Sequence, residues 1–516
     1  MKHFKKTILS ISVLAAFSGI TEAKTLPFID SSHIIHQTIT TKHKKLVLSH
    51  FVTDHVIDLS FNDLKDDDIP ALITFLNQHP DINNVDLEGN DDLTAKGLVP
   101  LASVKSITKL NLNRIDNECK DNVCKGGLTG KDMDAFANNT SLISLSLGLH
   151  NVGDEGATKL AKNTHLKELN LFVNNITDVG GIQLAANQTL ETLDLTDNDV
   201  GNETAIALAA NPSLKEVILG QTNVDDKGGV ALGNQSHAKT LGLYFNSIGD
   251  ATAIALANNP YLTKLWVDET NISVVGAKAF AQNQIIRTLD LSGDFFGSDR
   301  PNDIRDEGAI ALAQNNSLQT LYLDNQEITT AGAVALADND EIGRLTLAGN
   351  YGIKDKGVIA LARKQFITLS VAACSVTDKG AIALAKYPPQ HLIADFNDIS
   401  DAGAAALSKA YISTLDLSYN EIHDEGGLAF AYSGNTKLSY LDISMNRMTT
   451  FANEIINKHN GWLAGGENPY PPQHPLVHGQ FYILQNTKPL KANHVFCYRT
   501  QNKVACTNKE NIVHAS

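Results

Sequence analysis

Between Leu142 and Asp294 the apolar positions fall in a fixed phrase, Leu-x-x-Leu-x-Leu-x-x-Asn-x-Ile/Val, followed by a run of small residues spaced as on a helix. Aligned on the Asn-type position, the phrase is marked by His150, Asn174, Asn198, Thr222, Asn246, Thr270 and Asp294, at a constant step of 24. In the unit from Leu166 to Asn187, Leu169 and Leu171 alternate with Glu168, Asn170 and Phe172. That period of two predicts a short strand with one face buried and one exposed. The second half of each unit sets a Gly-Ala pair before a large apolar residue, as in Gly156-Ala157 with Leu160 and Gly276-Ala277 with Phe280, and predicts a helix that lies close to its neighbours. An Asp two residues before the glycine (Asp154, Asp178, Asp226, Asp306, Asp378, Asp401, Asp424) suits the first turn of that helix, as N-cap or as a charge opposing the dipole. No single unit can bury its own apolar face, so the expected architecture is an α/β solenoid with inner parallel strands and outer short helices. The amide at the Asn-type position is expected to turn toward backbone groups in the turn after the strand, with Thr222 and Cys374 as small substitutes.

The period extends both ways with interruptions. Upstream strands are predicted at Ile57-Asp58-Leu59, Val85-Asp86-Leu87 and Leu110-Asn111-Leu112, with marker steps of 28, 25 and 35. The last step is one period plus an insert of eleven, 117–127. A second insert of eight, 296–303, precedes the markers Gln326, Asn350, Cys374, Asn397, Asn420 and Asn446, for about 16 units in all. The predicted organisation is a leader over 1–23, an N-terminal cap over 24–51, the solenoid over 52–450, and a C-terminal cap or small β-rich module over 451–516. Lys2, Lys5 and Lys6 form the leader's basic head, Ile8 to Ile20 its apolar core and Thr21-Glu22-Ala23 its cleavage site. The apolar run is short for a membrane span, so a secreted or periplasmic protein is expected, with no membrane insertion after leader removal.

Charge and cysteine narrow the chemistry. Against 42 Lys+Arg stand 57 Asp+Glu, a net of −15, which disfavours nucleic-acid binding and favours basic partners. In an exported chain the pair Cys119 and Cys124, inside a polar insert, predicts a disulfide ring, and Cys497 with Cys506, flanking a hairpin-like segment, predicts another. Cys374 is left as a buried thiol. No nucleophile elbow, H-E-x-x-H, phosphate loop or dinucleotide fingerprint occurs, and no catalytic residue or cofactor is expected. His474 and His478 sit among prolines, two cysteines alone make a poor zinc site, and Asp294, Asp299, Asp303 and Asp306 fit no EF-hand spacing.

Strand alternation exposes a column through Asn170, Asp194, Ile218, Gly242, Trp266, Asp290, Tyr322 and Thr346, flanked by Phe172, Tyr244, Lys264, Asp268, Asp324 and Arg344. Aromatic anchors rimmed by charge have the composition of a binding hot spot, and the candidate set is Phe172, Tyr244, Trp266, Asp268, Asp290, Tyr322 and Asp324. Two other readings stand beside it. Exposed aromatics on a sheet also pair across strands, and Asp194, Asp290 and Asp416 belong to a repeated Leu-Asp-Leu phrase. The second insert, with Phe295, Phe296, Arg300 and Pro301, is a contact loop or a solvated decoration.

The phrase Gly308-Ala309-Ile310-Ala311-Leu312-Ala313, with Leu289-Asp290-Leu291 before it, resembles the GALA type of leucine-rich repeat, within the ribonuclease-inhibitor-like class. Similar phrases start at Gly332 and Gly380, and the resemblance covers about residues 52 to 450. It implies a leucine-rich-repeat horseshoe used for protein recognition, in bacterial proteins often associated with virulence and acting on host proteins. Some GALA proteins are similar to F-box adaptors, but Lys24 to Phe51 is short and polar for an F-box bundle. The expected function is a non-enzymatic, monomeric, exported scaffold that binds a protein partner, host-derived in the virulence setting, through its concave face. The alternatives are an adaptor or ligase-type effector recruiting ubiquitin machinery, and an envelope hydrolase with its site in the tail.

Overall fold

Every repeat contributes a strand of three residues whose central side chain is a buried aliphatic, as Leu169 is in Glu168–Asn170 and Leu193 in Thr192–Asp194. The computed structural model describes residues 38–40, 45–115, 119–120, 123–124, 126–293, 302–449, 452, 455–456, 496–500, 503–508 and 511–515. They form two compact units, Met1–Trp266 and Val267–Ser516.

In the first unit Thr38–Thr40 pairs antiparallel with Lys45–Val47, and Val52–Thr53 turns back on Val56–Asp58. From there the chain builds an open parallel ladder through Asn84–Asp86, Lys109–Asn111, Ser144–Ser146, Glu168–Asn170, Thr192–Asp194, Glu216–Ile218, Thr240–Gly242 and Lys264–Trp266. The second unit repeats the plan through Thr288–Asp290, Thr320–Tyr322, Arg344–Thr346, Thr368–Ser370, His391–Ile393, Thr414–Asp416 and Tyr440–Asp442. Pairing is in register, so equivalent leucines stack on one face and the variable residues on the other. A short helix returns the chain after almost every strand, and its Gly, Ala and Leu positions are the buried ones, as Gly156, Ala157 and Leu160 are in Gly153–Leu160. Three antiparallel strands, Phe496–Thr500, Lys503–Asn508 and Asn511–Ala515, lie near the C-terminus.

Three polar ladders hold neighbouring repeats together. The first is the expected one. Asn198 Oδ1 accepts from the backbone N–H of Asn174 at 3.0 Å and Ile176 at 2.9 Å, while its Nδ2 donates to the carbonyls of Leu171 at 2.8 Å and Leu195 at 3.0 Å. Thr222 donates to the Leu219 carbonyl and Cys374 Sγ lies 3.0 Å from the Leu347 carbonyl in the same place. Burial pushes the Cys374 thiol up to about 12, which leaves it an inert thiol at neutral pH. His150 also stands in for asparagine: its Nδ1 accepts from Leu128 N–H, so Nε2 carries the proton toward the Leu112 carbonyl. Its burial lowers the imidazole to about 4.

The second ladder corrects the sequence reading of the aspartates. Asp154 lies in the first turn of Gly153–Leu160 but caps the following helix, accepting from Thr177 N–H at 2.8 Å, Thr177 Oγ1 at 2.8 Å and Gly180 N–H at 2.9 Å. Asp178, Asp226, Asp306, Asp378, Asp401 and Asp424 reach forward in the same way. Gly180 is glycine for this reason, since a Cβ there would stand 2.6 Å from the Asp154 carboxylate and 2.9 Å from Ala157. The third ladder has no counterpart in the sequence reading. Asn187 donates to the carbonyls of Ala161 and Asn163 at the helix C-terminal side, and Asn163, Asn211, Asn259, Asn315 and Asn339 do likewise.

One marker moves. In the repeat of Thr288–Asp290 the ladder amide is that of Asn302, which donates to the Val267, Leu291 and Ser292 carbonyls, eight residues beyond the marker expected at Asp294. The leader, Asp294, Phe295, Phe296, Asp299, Arg300, Pro301, His474 and His478 lie outside the described residues.

Candidate functional site

The exposed strand column in the first unit is built row by row from in-register pairs: Asn170 beside Asp194, Asp194 beside Ile218, Ile218 beside Gly242, and Gly242 beside Trp266. Asn170 Nδ2 donates to Asp194 at 3.0 Å, and burial raises the Asp194 carboxyl. Two of the predicted aromatics lie flat on the sheet. The Phe172 ring covers Gly148, where a Cβ would stand 1.9 Å from it, and the Tyr244 ring covers Gly220 at 2.1 Å. Tyr244 also reaches Thr196, with 3.2 Å between the two hydroxyl oxygens, and Thr196 Oγ1 in turn lies 2.6 Å from Asp194. Phe172 and Tyr244 thus pack across the strands, each ring filling the space that a glycine leaves one repeat earlier. The signal was in the sequence, as Gly148 and Gly220 stand one full period before the rings. Gly242 is filled differently, by Ile218 at 3.1 Å and the edge of Tyr244 at 3.3 Å. Trp266, its in-register neighbour, is not the ring nearest that glycine and stays partly exposed.

The second unit carries the other four predicted residues, and here carboxylates dominate. Asp290 is in register with Tyr322. Asp290 accepts from Ser292 N–H at 2.9 Å, and Asp324 accepts from Ala348 N–H at 2.6 Å. Burial pushes Asp290 up to about 6 and Asp324, with Asp290 adding to it, up to about 7. Asp268 is raised well above the ordinary carboxylate value, first by burial and then by Asp290. Burial followed by Asp290 also raises the Tyr322 hydroxyl. The cause common to all is burial, which disfavours the charged form, and Asp290 adds repulsion at Asp268, Asp324 and Tyr322. What such a row does chemically is hold protons near neutrality and attract cationic groups.

Among the described residues no three His, Cys, Asp or Glu side chains are arranged to hold a metal ion. Of the aspartates considered for calcium, Asp306 has both oxygens engaged in the cap of the next helix and Asp303 meets Arg305 at 2.5 Å.

A family model described as Leucine Rich repeat matches residues 138–161, 162–185, 186–209, 210–233, 300–313 and 409–431. These are leucine-rich repeats. Four of the matched leucine-rich-repeat segments are contiguous and coincide with the block of constant period. No curated protein matches the chain. Among solved structures, similarity extends to the Rad7 and Elc1 complex of yeast, at 15% identity and a TM-score of 0.41 over 60% of this chain and 83% of that one. An internalin (inlF) from Listeria monocytogenes gives 21% identity and a TM-score of 0.40 over 64% and 87%. The plant peptide hormone receptor RGFR1 in complex with RGF2 gives 11% and 0.30 over 75% and 78%.

Proposed function

We propose that this protein is an exported, non-enzymatic scaffold that recognises another protein, of host origin in a bacterial virulence setting, through the exposed strand face of its leucine-rich repeats. Trp266 carries the reading. Unlike Phe172 and Tyr244, its ring is not the group nearest the glycine one repeat earlier, and a partly exposed tryptophan is a characteristic anchor of protein interfaces. The carboxylate row of the second unit and the net charge of −15 favour a partner with a basic surface. The virulence setting comes from the GALA-type resemblance.

Affinity capture with the mature protein from host and bacterial lysates tests this. Changing Trp266 to Ala is expected to weaken the captured partner's binding by more than about 1 kcal/mol, roughly fivefold. A partner held equally well by the variant would remove Trp266 from the interface.

Export also bears on the cysteines. The basic head and apolar run of the leader support it, and in the backbone register Cys119 stands opposite Cys124 and Cys497 opposite Cys506. We therefore expect two disulfides in the exported protein. Thiol titration of denatured, unreduced protein should find one reactive group per chain, Cys374. Five reactive groups would exclude both bridges.

A further inference from the structure

Just before the Asn-type position the backbone is left-handed in the described repeats of the second unit, at Glu269, Asn325, Gly349 and Ala373, as it is at Phe61, Val173 and Phe245 in the first, so this turn accepts many side chains. The last three repeats place large apolar groups there, Phe396, Tyr419 and Met445, at φ of 51°, 52° and 55°. These groups are not buried, since Phe396 is 53% and Met445 51% exposed. The Phe396 and Tyr419 rings are stacked, with centroids 4.2 Å apart and planes at 9°. Main-chain bonds from Phe396 N–H to Ser418 and from Tyr419 N–H to Ser444 hold the three turns side by side.

Beside this ridge, at the ends of the same strands, stand Asp395, Asp416 and Asp442. Asp416 and Asp442 are in-register neighbours, a like-charge pairing that opposes folding. The Asp395 Oδ1 is enclosed and has no hydrogen-bond partner among the described residues. Burial, then Asp416 and Asp442, pushes its carboxyl up to about 7. A cation relieves repulsion among these groups, and an aromatic face receives the same cation; a neutral sugar would do only the second.

We propose that Phe396, Tyr419 and Met445, with Asp395, Asp416 and Asp442, form a second docking surface, one that takes a lysine- or arginine-bearing segment of a protein partner. The inference rests on the recognition-scaffold reading and adds to it a separate surface and a partner chemistry.

The test uses the full mature chain and fluorescent peptides of alternating lysine and glycine, with a glutamate–glycine peptide and a neutral hexasaccharide as comparators. The double variant Phe396→Asn, Tyr419→Asn suits the left-handed backbone, so its thermal midpoint should be no lower than that of the wild type. Its affinity for the lysine peptide should fall about tenfold or more, with the wild-type binding weakened by salt and unchanged in Trp266→Ala. Equal binding by wild type and double variant, or no binding of the lysine peptide by the wild type, overturns the proposal. A hexasaccharide that binds the wild type and not the double variant overturns it in favour of a sugar platform. Capture of a partner through Trp266 stands or falls on its own measurement, so failure of the lysine peptide leaves the scaffold reading intact.

Discussion

Replacing Asn198 with alanine is expected to destabilise the first unit by about 3–5 kcal/mol, a loss far above that of a typical surface substitution. The side chain is buried at 2% exposure and joins the backbone of its own repeat to that of the preceding one. Its oxygen takes the N–H groups of Asn174 and Ile176, and its nitrogen serves the carbonyls of Leu171 and Leu195. Alanine leaves all four without a partner in the interior, where each unpaired group costs roughly 1–3 kcal/mol, partly offset by entering water. Because a solenoid is stabilised mainly between neighbours, the damage falls on the interface with the preceding repeat. A urea titration followed by circular dichroism should show the midpoint move down sharply. Asn198→Thr is the internal control: threonine fills this position at Thr222 and Thr270, where its hydroxyl donates to one carbonyl, so it should recover part of the loss. An alanine variant within about 1 kcal/mol of wild type would show that this amide is not what joins the repeats.

That ladder was legible because its chemistry and its period coincide: an asparagine followed by x-Ile or x-Val recurs at a constant step after a leucine pair. Where the period alone was used, it failed. Counting one period on from Thr270 lands on Asp294, yet Asn302 with Ile304 two residues on carries the phrase, and Asn302 does the bonding. A step count gives the size of an insert and says nothing of the side of the turn on which the extra residues fall. The aspartates show a different gap. Their place two residues before the glycine was plain, but a carboxylate there can serve its own helix or the next, and only stacking brings Thr177 and Gly180 within reach of Asp154.

For the site, alternation gave the exposed column and left its meaning open. Each of Phe172, Tyr244 and Trp266 follows a glycine by one period, and what sets Trp266 apart is that Ile218 and Tyr244 lie nearest to Gly242, a difference that the spacing alone does not give. The stacked ridge at Phe396 and Tyr419 escapes a reading by alternation because those residues lie just outside the strand, where alternation makes no assignment. The aspartates of the second unit were named from the sequence, but their raised pKa values arise from burial that composition does not report.

Those raised pKa values are expected to make the protein less stable at pH 8 than at pH 5. Asp290 at about 6, Asp324 at about 7 and Asp395 at about 7 all stand above the ordinary aspartate value of 3.8. Between pH 4 and 7 the folded chain therefore holds protons that the unfolded chain has released, and stability falls as pH rises. The contribution is complete below about 4 and lost as pH climbs through 6 to 7. His150 works the other way, since its lowering from 6.5 to about 4 gives stability above pH 6.5 that is lost as pH falls through 4. The carboxylates prevail over the interval from 5 to 8 because three act together there, whereas the gain from His150 stops near pH 6.5, where the unfolded imidazole has also lost its proton. At about 1.4 kcal/mol per unit, Asp324 alone has a ceiling of about 4 kcal/mol, and Asp290 shares part of the same effect, so the two do not add. Asp324→Asn keeps an oxygen for the Ala348 N–H and removes the charge. Its thermal midpoint at pH 8 should exceed that of the wild type by several degrees, and its profile from pH 5 to 8 should be flatter. Parallel profiles would mean that this carboxylate ionises as freely as one in water. The same linkage gives a basic partner its leverage: at pH 8 an ammonium or guanidinium group brought to these aspartates replaces the missing proton, so binding recovers stability that the free protein lacks.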